Sequence, residues 1–447
     1  MARKLVNSLS YTRIIALSFF SIIIIGSILL SLPVSSRSGE WTPFLNALFT
    51  ATSATCVTGL IVYDTFTYWS LFGQLVIILM IQIGGIGLMT IITTFAIFRK
   101  KKIGLHERML LKASAGNTRL SGMVRLVKGI ILGTLLIEGV GAVFLAIRFV
   151  PQFGWGEGVY YAVFHAISSY CNAGFDLMGR NEKFSSFTGY ETDVLVNVVI
   201  MALIVIGGIG FLVWSDILRC KGRFHRFSLH SKIVVITTVF LLLAGGFGFF
   251  VFEAKGNLAG MSIPDRILSS MFMSVTTRTA GYNTMDLGTL SESGSLLAMI
   301  LMLIGGSPGS TAGGIKTTTF AVIFLTICSM SRGNSETTVY KKRFEQNIAK
   351  QAISIVSIYL AGILLATMII CALEPFSVRE VLFETVSAIG TVGLTQGITT
   401  SLGGVSKIIL IILMYGGRIG GLSLLLVFGE KKKEAPIKRP SEQILLG

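Results

Sequence analysis

Four short turns in this 447-residue chain end in glycine: Cys56-Val57-Thr58-Gly59, Cys171-Asn172-Ala173-Gly174, Arg278-Thr279-Ala280-Gly281 and Gly390-Thr391-Val392-Gly393. The chemistry they share is that of the backbone. Glycine tolerates positive φ and lets successive carbonyls turn toward one axis, where converging carbonyl oxygens can replace the water shell of a cation. The ion-binding set expected on this basis is Val57, Thr58, Gly59, Asn172, Ala173, Gly174, Thr279, Ala280, Gly281, Thr391, Val392 and Gly393. The glycines lie 115, 107 and 112 residues apart. That spacing is too regular for chance and too long for a solenoid repeat.

Each turn follows a mostly apolar segment of 13 or 14 residues, such as 42–55 or 377–389. Such a segment is too short to span a bilayer and reads as a re-entrant helix. Its C-terminal end, carrying about half a negative charge from the macrodipole, then stops inside the membrane and favours a cation. Non-helical backbone at that depth is tolerated only where it lines a water-filled route or is buried in protein.

The positioning elements recur as outer helix M1, pore helix P, turn and inner helix M2. Unit one is 11–33, 42–55, 56–60 and 70–98; unit two is 124–150, 157–170, 171–175 and 192–217. Unit three is 231–253, 264–277, 278–282 and 293–328; unit four is 350–373, 377–389, 390–394 and 404–428. Two full spans per unit return the chain to its starting side, so the repeats are parallel, unlike the inverted repeats of many carriers. The expected fold is an all-α polytopic membrane protein with four parallel M1-P-M2 repeats around a pseudo-fourfold central pore. Its parts are repeat one (1–98), a cytosolic loop with repeat two (99–218), repeat three (219–329), repeat four (330–428) and a cytosolic tail (429–447).

Aligned on the glycines, Phe49, Phe164 and Phe383 stand ten residues upstream, with Met271 in unit three. Ser53, Ser168 and Ser387 stand six residues upstream, with Val275 in unit three. Each M2 carries a pair, Gly84-Gly85, Gly207-Gly208, Gly305-Gly306 or Gly416-Gly417, suited to close helix packing.

A mean hydropathy of +0.76, with 52% hydrophobic and 13% charged residues, excludes a soluble globular protein. The first apolar run is too long for a signal h-region and is expected to be a retained span. The net charge of +16 segregates: residues 1–13, 99–128, 219–232, 329–350 and 429–447 hold 27 of the 38 lysines and arginines. This is the positive-inside pattern, not a nucleic-acid footprint, and it places both termini in the cytoplasm. The opposite loops collect acids, among them Asp64, Asp176 and Asp286 just beyond three of the turns. These acids read either as an outer-mouth ring concentrating cations or as ordinary solvated loops. Cys56, Cys171, Cys220, Cys328 and Cys371 form no CxxC or Cys/His cluster, so no disulfide framework is expected. No acid, base, metal ligand or nucleophile clusters as an enzyme would require.

The third M2 is interrupted by Gly305-Gly306-Ser307-Pro308-Gly309-Ser310-Thr311-Ala312-Gly313-Gly314-Ile315-Lys316, which cannot continue a lipid-facing helix. Its spacing approaches that of a phosphate-binding loop, but Ile315 separates Gly314 from Lys316 and the strand-loop-helix context is missing. Arg418 sits mid-span, where an unpaired charge is costly, so it must face the pore side or a carboxylate. His165 reads as a hydrogen-bonded helix residue, and Glu138 has no evident partner.

Thr391-Val392-Gly393 repeats the Thr-Val-Gly of the potassium-channel filter. Together with the four units, the four glycines and the 305–316 stretch, it makes residues 11–428 closely resemble the Trk/Ktr/HKT superfamily of cation-translocating subunits, specifically the bacterial KtrB type. Trk relatives carry two further N-terminal spans, which a chain whose unit one begins by Tyr11 is expected to lack. The resemblance implies potassium uptake across the plasma membrane through a channel-like filter, passive or coupled to sodium, with no cofactor in the chain. Glycine at all four positions goes with potassium preference in that superfamily and serine at the first with sodium, so Gly59 points to potassium. The resemblance further implies that residues 305–316 form an intramembrane gate and that Arg418 is a positive barrier below the filter. The bland alternatives are a packing irregularity and a structural ion pair. It also implies a homodimer docked on a ring of cytosolic nucleotide-binding regulatory subunits of the RCK/KtrA type. The basic inner loops, notably residues 99–102 with Arg108 and Lys112, would otherwise meet anionic headgroups of the lipid bilayer. A coupled secondary carrier of unrelated mechanism is the alternative function.

Overall fold

A computed structural model describes residues 11–87, 123–180, 182–334, 336–345 and 347–420, with side chains from Arg13 and Val127 onward in the first two segments. Residues 88–98 of the first M2, the basic stretch 99–122, residues 421–428 of the fourth M2 and the 429–447 tail lie outside the described residues.

In chain order the helices begin with α1 (Tyr11–Ser31), α2 (Phe44–Cys56), α3 (Thr65–Tyr68) and α4 (Leu71–Ile86). They continue with α5 (Met123–Phe153), α6 (Trp155–Tyr170), α7 (Val194–Gly208) and α8 (Phe211–Arg219). Next come α9 (Leu229–Phe252), α10 (Ile263–Thr276), α11 (Glu292–Leu303) and α12 (Thr317–Ser331), then α13 (Ile348–Leu373), α14 (Val378–Gly390) and α15 (Gly404–Ile419). A hairpin of β1 (Thr338–Val339) and β2 (Lys342–Arg343) departs from an all-α chain, its turn formed by Tyr340 and Lys341 at positive φ.

Among the described residues α1, α5, α9 and α13 are each long and apolar enough to cross a membrane. They leave Ile25, Leu132, Phe247 and Met368 exposed, as a lipid-facing surface requires. The short helices α2, α6, α10 and α14 follow them, with starts set by local chemistry. Ser377 and Glu380 form a reciprocal capping box at α14, and the Ser262 hydroxyl accepts the Asp265 amide at α10. Burial rises along each short helix toward its C-terminal end, whose last three residues are buried in all four. Carboxylates at the ends of two outer helices hold the starts of the following inner helices. Glu253 accepts from the Ser291 amide (3.0 Å) and hydroxyl (2.7 Å), and Glu374 from the Gly403 amide (2.7 Å) and Ser406 hydroxyl (2.8 Å).

The inner helices are interrupted more often than the sequence suggests. The second M2, expected unbroken over 192–217, divides into α7 and α8 with a bend of 94°. Gly210 sits at φ 97° in the break, and the Phe211 amide donates to the Gly309 carbonyl at 2.8 Å. The loop of the third M2 thus takes the hydrogen bonds that a continuous second M2 would make for itself. A Cβ on Gly84, Gly207 or Gly417 would collide with the carbonyl of Thr55, Tyr170 or Ile389. The glycine pairs therefore let three inner helices press their backbones onto the ends of the short helices. In unit three Gly305 meets the Gly313 carbonyl instead.

Candidate functional site

In each glycine turn the residue two before the glycine adopts the left-handed conformation: Val57 (φ 58°), Asn172 (59°), Thr279 (69°) and Thr391 (52°). The glycines follow at 94°, 70°, 83° and 96°. For β-branched Val57, Thr279 and Thr391 this conformation costs about 1–3 kcal/mol each and persists only where surroundings impose it. Nothing in the residue types announces it, because valine and threonine ordinarily avoid positive φ.

The surroundings that impose it are the ends of the short helices. The amides of Thr58, Ala173 and Val392 donate back to the carbonyls of Ser53, Ser168 and Ser387 at 2.8, 2.8 and 2.9 Å, closing the helix over its left-handed cap. The serine hydroxyls brace the turns directly. Ser53 and Ser387 accept the Gly59 and Gly393 amides at 3.0 and 3.1 Å, and Ser168 donates to the Phe175 carbonyl at 2.7 Å. In unit three Thr276 donates to the Tyr282 carbonyl at 2.6 Å, and Phe272 rather than Met271 is the fully buried aromatic. The exceptions at Met271 and Val275 are therefore a slip of one residue in that helix, with neighbouring side chains taking both roles.

The four glycines meet. A Cβ on Gly59 would stand 2.7 Å from the Ala173 carbonyl oxygen and 3.3 Å from the Gly393 Cα; one on Gly174 would stand 2.6 Å from the Ala280 oxygen. One on Gly281 would strike the Val392 oxygen, and one on Gly393 the Thr58 oxygen. Each glycine thus abuts the carbonyl preceding the next glycine in chain order, and the fourth closes on the first. The buried hydroxyls of Thr58 and Thr391 have no hydrogen-bond partner among the described residues.

The 305–316 segment lies against these turns. The Gly305 amide donates to the Ile315 carbonyl (2.8 Å), Ser307 to Gly208 (2.9 Å), and the Ser307 hydroxyl meets that of Thr317 (3.0 Å). Lys316 is satisfied within the loop, its Nζ donating to the carbonyls of Ala312 (2.7 Å) and Gly313 (3.3 Å). A Cβ on Gly306 would press on Ala312, and Ser310 accepts the Ala312 amide at 3.3 Å. Pro308 and Gly309 face Gly210, while Gly313 and Gly314 abut Thr391 and Gly390. Arg418 reaches across to this loop. Its guanidinium donates to the Thr311 carbonyl and to those of Gly84 and Gly85, and it has no carboxylate partner among the described residues. The structural ion pair is thereby excluded there, and a hydrogen-bonded bridge to carbonyls takes its place.

Beyond the turns, His165 donates from Nδ1 to the Tyr161 carbonyl (2.7 Å) and accepts the Leu177 amide at Nε2 (3.1 Å), as a hydrogen-bonded helix residue should. At the same distance before its glycine, Glu384 accepts from the hydroxyls of Thr395 and Thr399, a role the sequence reading missed. Asp64 accepts the amides of Thr67 (2.7 Å) and Phe184 (3.0 Å), Asp176 that of Met178 (2.9 Å) and Asp286 that of Gly288 (3.0 Å). All three order loops. Burial, then nearby Asp64, pushes the Asp176 carboxyl up to about 7, against the lowering hydrogen bonds from Met178 and Ser186. Glu138 does have a partner, Gln82.

The protein of Enterococcus hirae named potassium/sodium uptake protein NtpJ is 39% identical, over 100% of this chain and 99% of its own. The Bacillus subtilis Ktr system potassium uptake protein B is 40% identical, over 97% and 96%. The crystal structure of the potassium transporter TrkH from Vibrio parahaemolyticus superposes with a TM-score of 0.74 over 94% of this chain and 86% of that one, at 16% identity, which speaks for the fold alone. The family model for TrkH, described as a cation transport protein, matches residues 7–437. The chain belongs to this family of membrane cation transport proteins.

Proposed function

We propose that this protein is the ion-translocating subunit of a potassium uptake system, with the four glycine turns as its selectivity filter and four parallel M1-P-M2 units around one pore. The observation that carries this reading is the closed cycle in which each glycine abuts the carbonyl before the next. Four such carbonyls around one point, each at the negative end of a short helix, form a cation-binding arrangement. Two relatives whose names state potassium or potassium/sodium uptake match along nearly their whole length.

The loop 305–316 is the gate in this reading, and Arg418 the latch that ties it to the first and fourth inner helices. Support comes from the loop's hydrogen bonds to the end of α7 and to the last carbonyl of α6, beside the second turn. Both termini are cytoplasmic, and the subunit works as a homodimer on a ring of nucleotide-binding regulatory subunits. The segregated basic charge supports the orientation, and the Ktr system name of a relative supports a multi-component assembly. Potassium flux is either passive or coupled to sodium, as the potassium/sodium uptake name of one relative allows.

The test is tracer flux into liposomes holding the purified protein, comparing potassium, rubidium and sodium with and without Gly59→Ser. Saturable uptake favouring potassium and rubidium, shifted toward sodium by the substitution, is expected. Strict exchange insensitive to the substitution would instead identify a carrier of unrelated mechanism.

A further inference from the structure

One buried side chain joins three of the elements above. The Asn172 amide nitrogen donates to the Arg278 carbonyl (3.4 Å) and the Thr279 hydroxyl (3.3 Å), and its oxygen accepts from the Thr311 hydroxyl (3.2 Å). Asn172 therefore ties the second glycine turn to the third and both to the 305–316 loop. Thr311 has one hydroxyl proton to share between Asn172 and the Tyr170 carbonyl at 3.1 Å, the last carbonyl of α6. Asn172, Thr279 and Thr311 are all essentially inaccessible, so each hydrogen bond broken here leaves a polar atom without water to replace it.

Backbone preference alone does not account for this residue. Asparagine is well suited to positive φ, but the equivalent positions are Val57, Thr279 and Thr391, which hold the same conformation without an amide. The loop also rests on two of those residues by packing. A Cβ on Gly305 would lie 3.1 Å from the Thr279 methyl, and one on Gly313 would meet the Thr391 hydroxyl. At Asn172 it is joined by hydrogen bonding.

Resting on the reading of the turns as filter and the loop as gate, we propose that Asn172 is a positioning residue that makes ion selectivity depend on the gate. With the loop docked, Thr311 fixes the amide, and the amide holds the second and third turns in register. When the loop withdraws, Thr311 leaves, the amide loses an anchor and the carbonyls of those two turns loosen together. The potassium preference is then strongest in the docked state.

The experiment measures both absolute flux and the potassium-to-sodium uptake ratio in liposomes for Thr311→Val, Thr311→Ser, Asn172→Ala and the Val/Ala double variant. Thr311→Val keeps the carbonyl that Arg418 binds and removes only the hydroxyl. It is expected to raise flux and lower the ratio about tenfold, the size of one buried hydrogen bond lost, while Thr311→Ser restores the ratio. Asn172→Ala lowers the ratio to a similar degree, and the double variant lowers it no further, as two members of one network should. An unchanged ratio in Thr311→Val, or two reductions that multiply in the double variant, overturns the coupling. If Asn172→Ala does not assemble, the Thr311 pair decides by the same ratio. Failure of the gate reading shows separately, as unchanged flux when residues 309–314 are shortened. Raised flux in that variant beside an unchanged ratio in Thr311→Val sinks the coupling alone.

Discussion

Gln82 donates to both carboxylate oxygens of Glu138 at 3.1 Å, joining the first inner helix to the outer helix of the second unit. Glu138 is 5% exposed, so these bonds stand in for hydration the carboxyl group cannot obtain. Gln82→Leu should lower stability by about 1–3 kcal/mol by stranding the acid. Gln82→Leu with Glu138→Leu should recover much of the loss, because neither polar group then remains. Thermal unfolding in detergent reads both; equal losses in the single and double variants would contradict the pairing.

Ser387→Ala removes the acceptor of the Gly393 amide, and Ser53→Ala that of Gly59. Each should cost about 1 kcal/mol and reduce potassium over sodium discrimination a few-fold. In unit three the turn is braced instead by the Thr276 hydroxyl, which donates to the Tyr282 carbonyl, so Thr276→Val should reduce discrimination whereas Val275→Ser should not improve it. Flux ratios across the four variants check the assignment.

Gly393 combines φ 96° with a backbone approach that leaves no room for a Cβ beside the Thr58 carbonyl. Gly393→Ala should therefore reduce potassium flux on the order of tenfold to a hundredfold, corresponding to about 1–3 kcal/mol of strain. Gly129→Ala is the control: it lies in helix α5 and a Cβ there meets no atom of the described residues within 4 Å. Flux retained in Gly393→Ala would show that the turns do not line the pathway.

Arg418→Gln shortens a bridge to the carbonyls of Thr311, Gly84 and Gly85. Potassium uptake should rise several-fold if the bridge holds the loop in place, at a cost in folded yield of about 1–3 kcal/mol from the carbonyls left unpaired. An unaltered rate with reduced yield would assign Arg418 to stability alone.

The Asp176 carboxyl, pushed up to about 7 from an ordinary value of 3.8, holds its proton in the folded protein between those two pH values, where the unfolded chain is ionised. The folded state binds more protons, so this group's contribution is most favourable below pH 3.8 and is lost as pH rises toward 7. Asp176→Asn should remove that loss, narrowing the gap in melting temperature between pH 5 and pH 8. If Asp176 belongs to an outer-mouth ring rather than to an ordinary loop, its ionisation through pH 7 adds a negative charge there, so uptake from low potassium should rise with external pH and flatten in Asp176→Asn; a flat wild-type profile would assign it to the loop alone. Paired melting and uptake series across that range test both.

The order of the long and short apolar helices was legible because a membrane demands long apolar runs, and a shorter apolar run stands out against them. The short helices begin and end within two residues of the expected 42–55, 157–170, 264–277 and 377–389. The break in the second M2 was not legible. Residues 192–217 carry an unbroken apolar pattern, and what opens the helix at Gly210 is the Gly309 carbonyl, supplied from about one hundred residues downstream. Glu138 was equally opaque, since its donor lies in another unit.

What the sequence alone determined was a membrane chain with four glycine-terminated turns, because composition, hydrophobic length and the small residues a backbone turn demands are local properties. Tertiary structure decided the rest: which carbonyl each glycine faces, the strained residue two positions before it, the one-residue slip in unit three, and the company kept by Arg418, Asn172 and Glu138. These depend on distances between segments about a hundred residues apart, and closing such loops is governed by packing and hydrogen bonding that no single segment encodes.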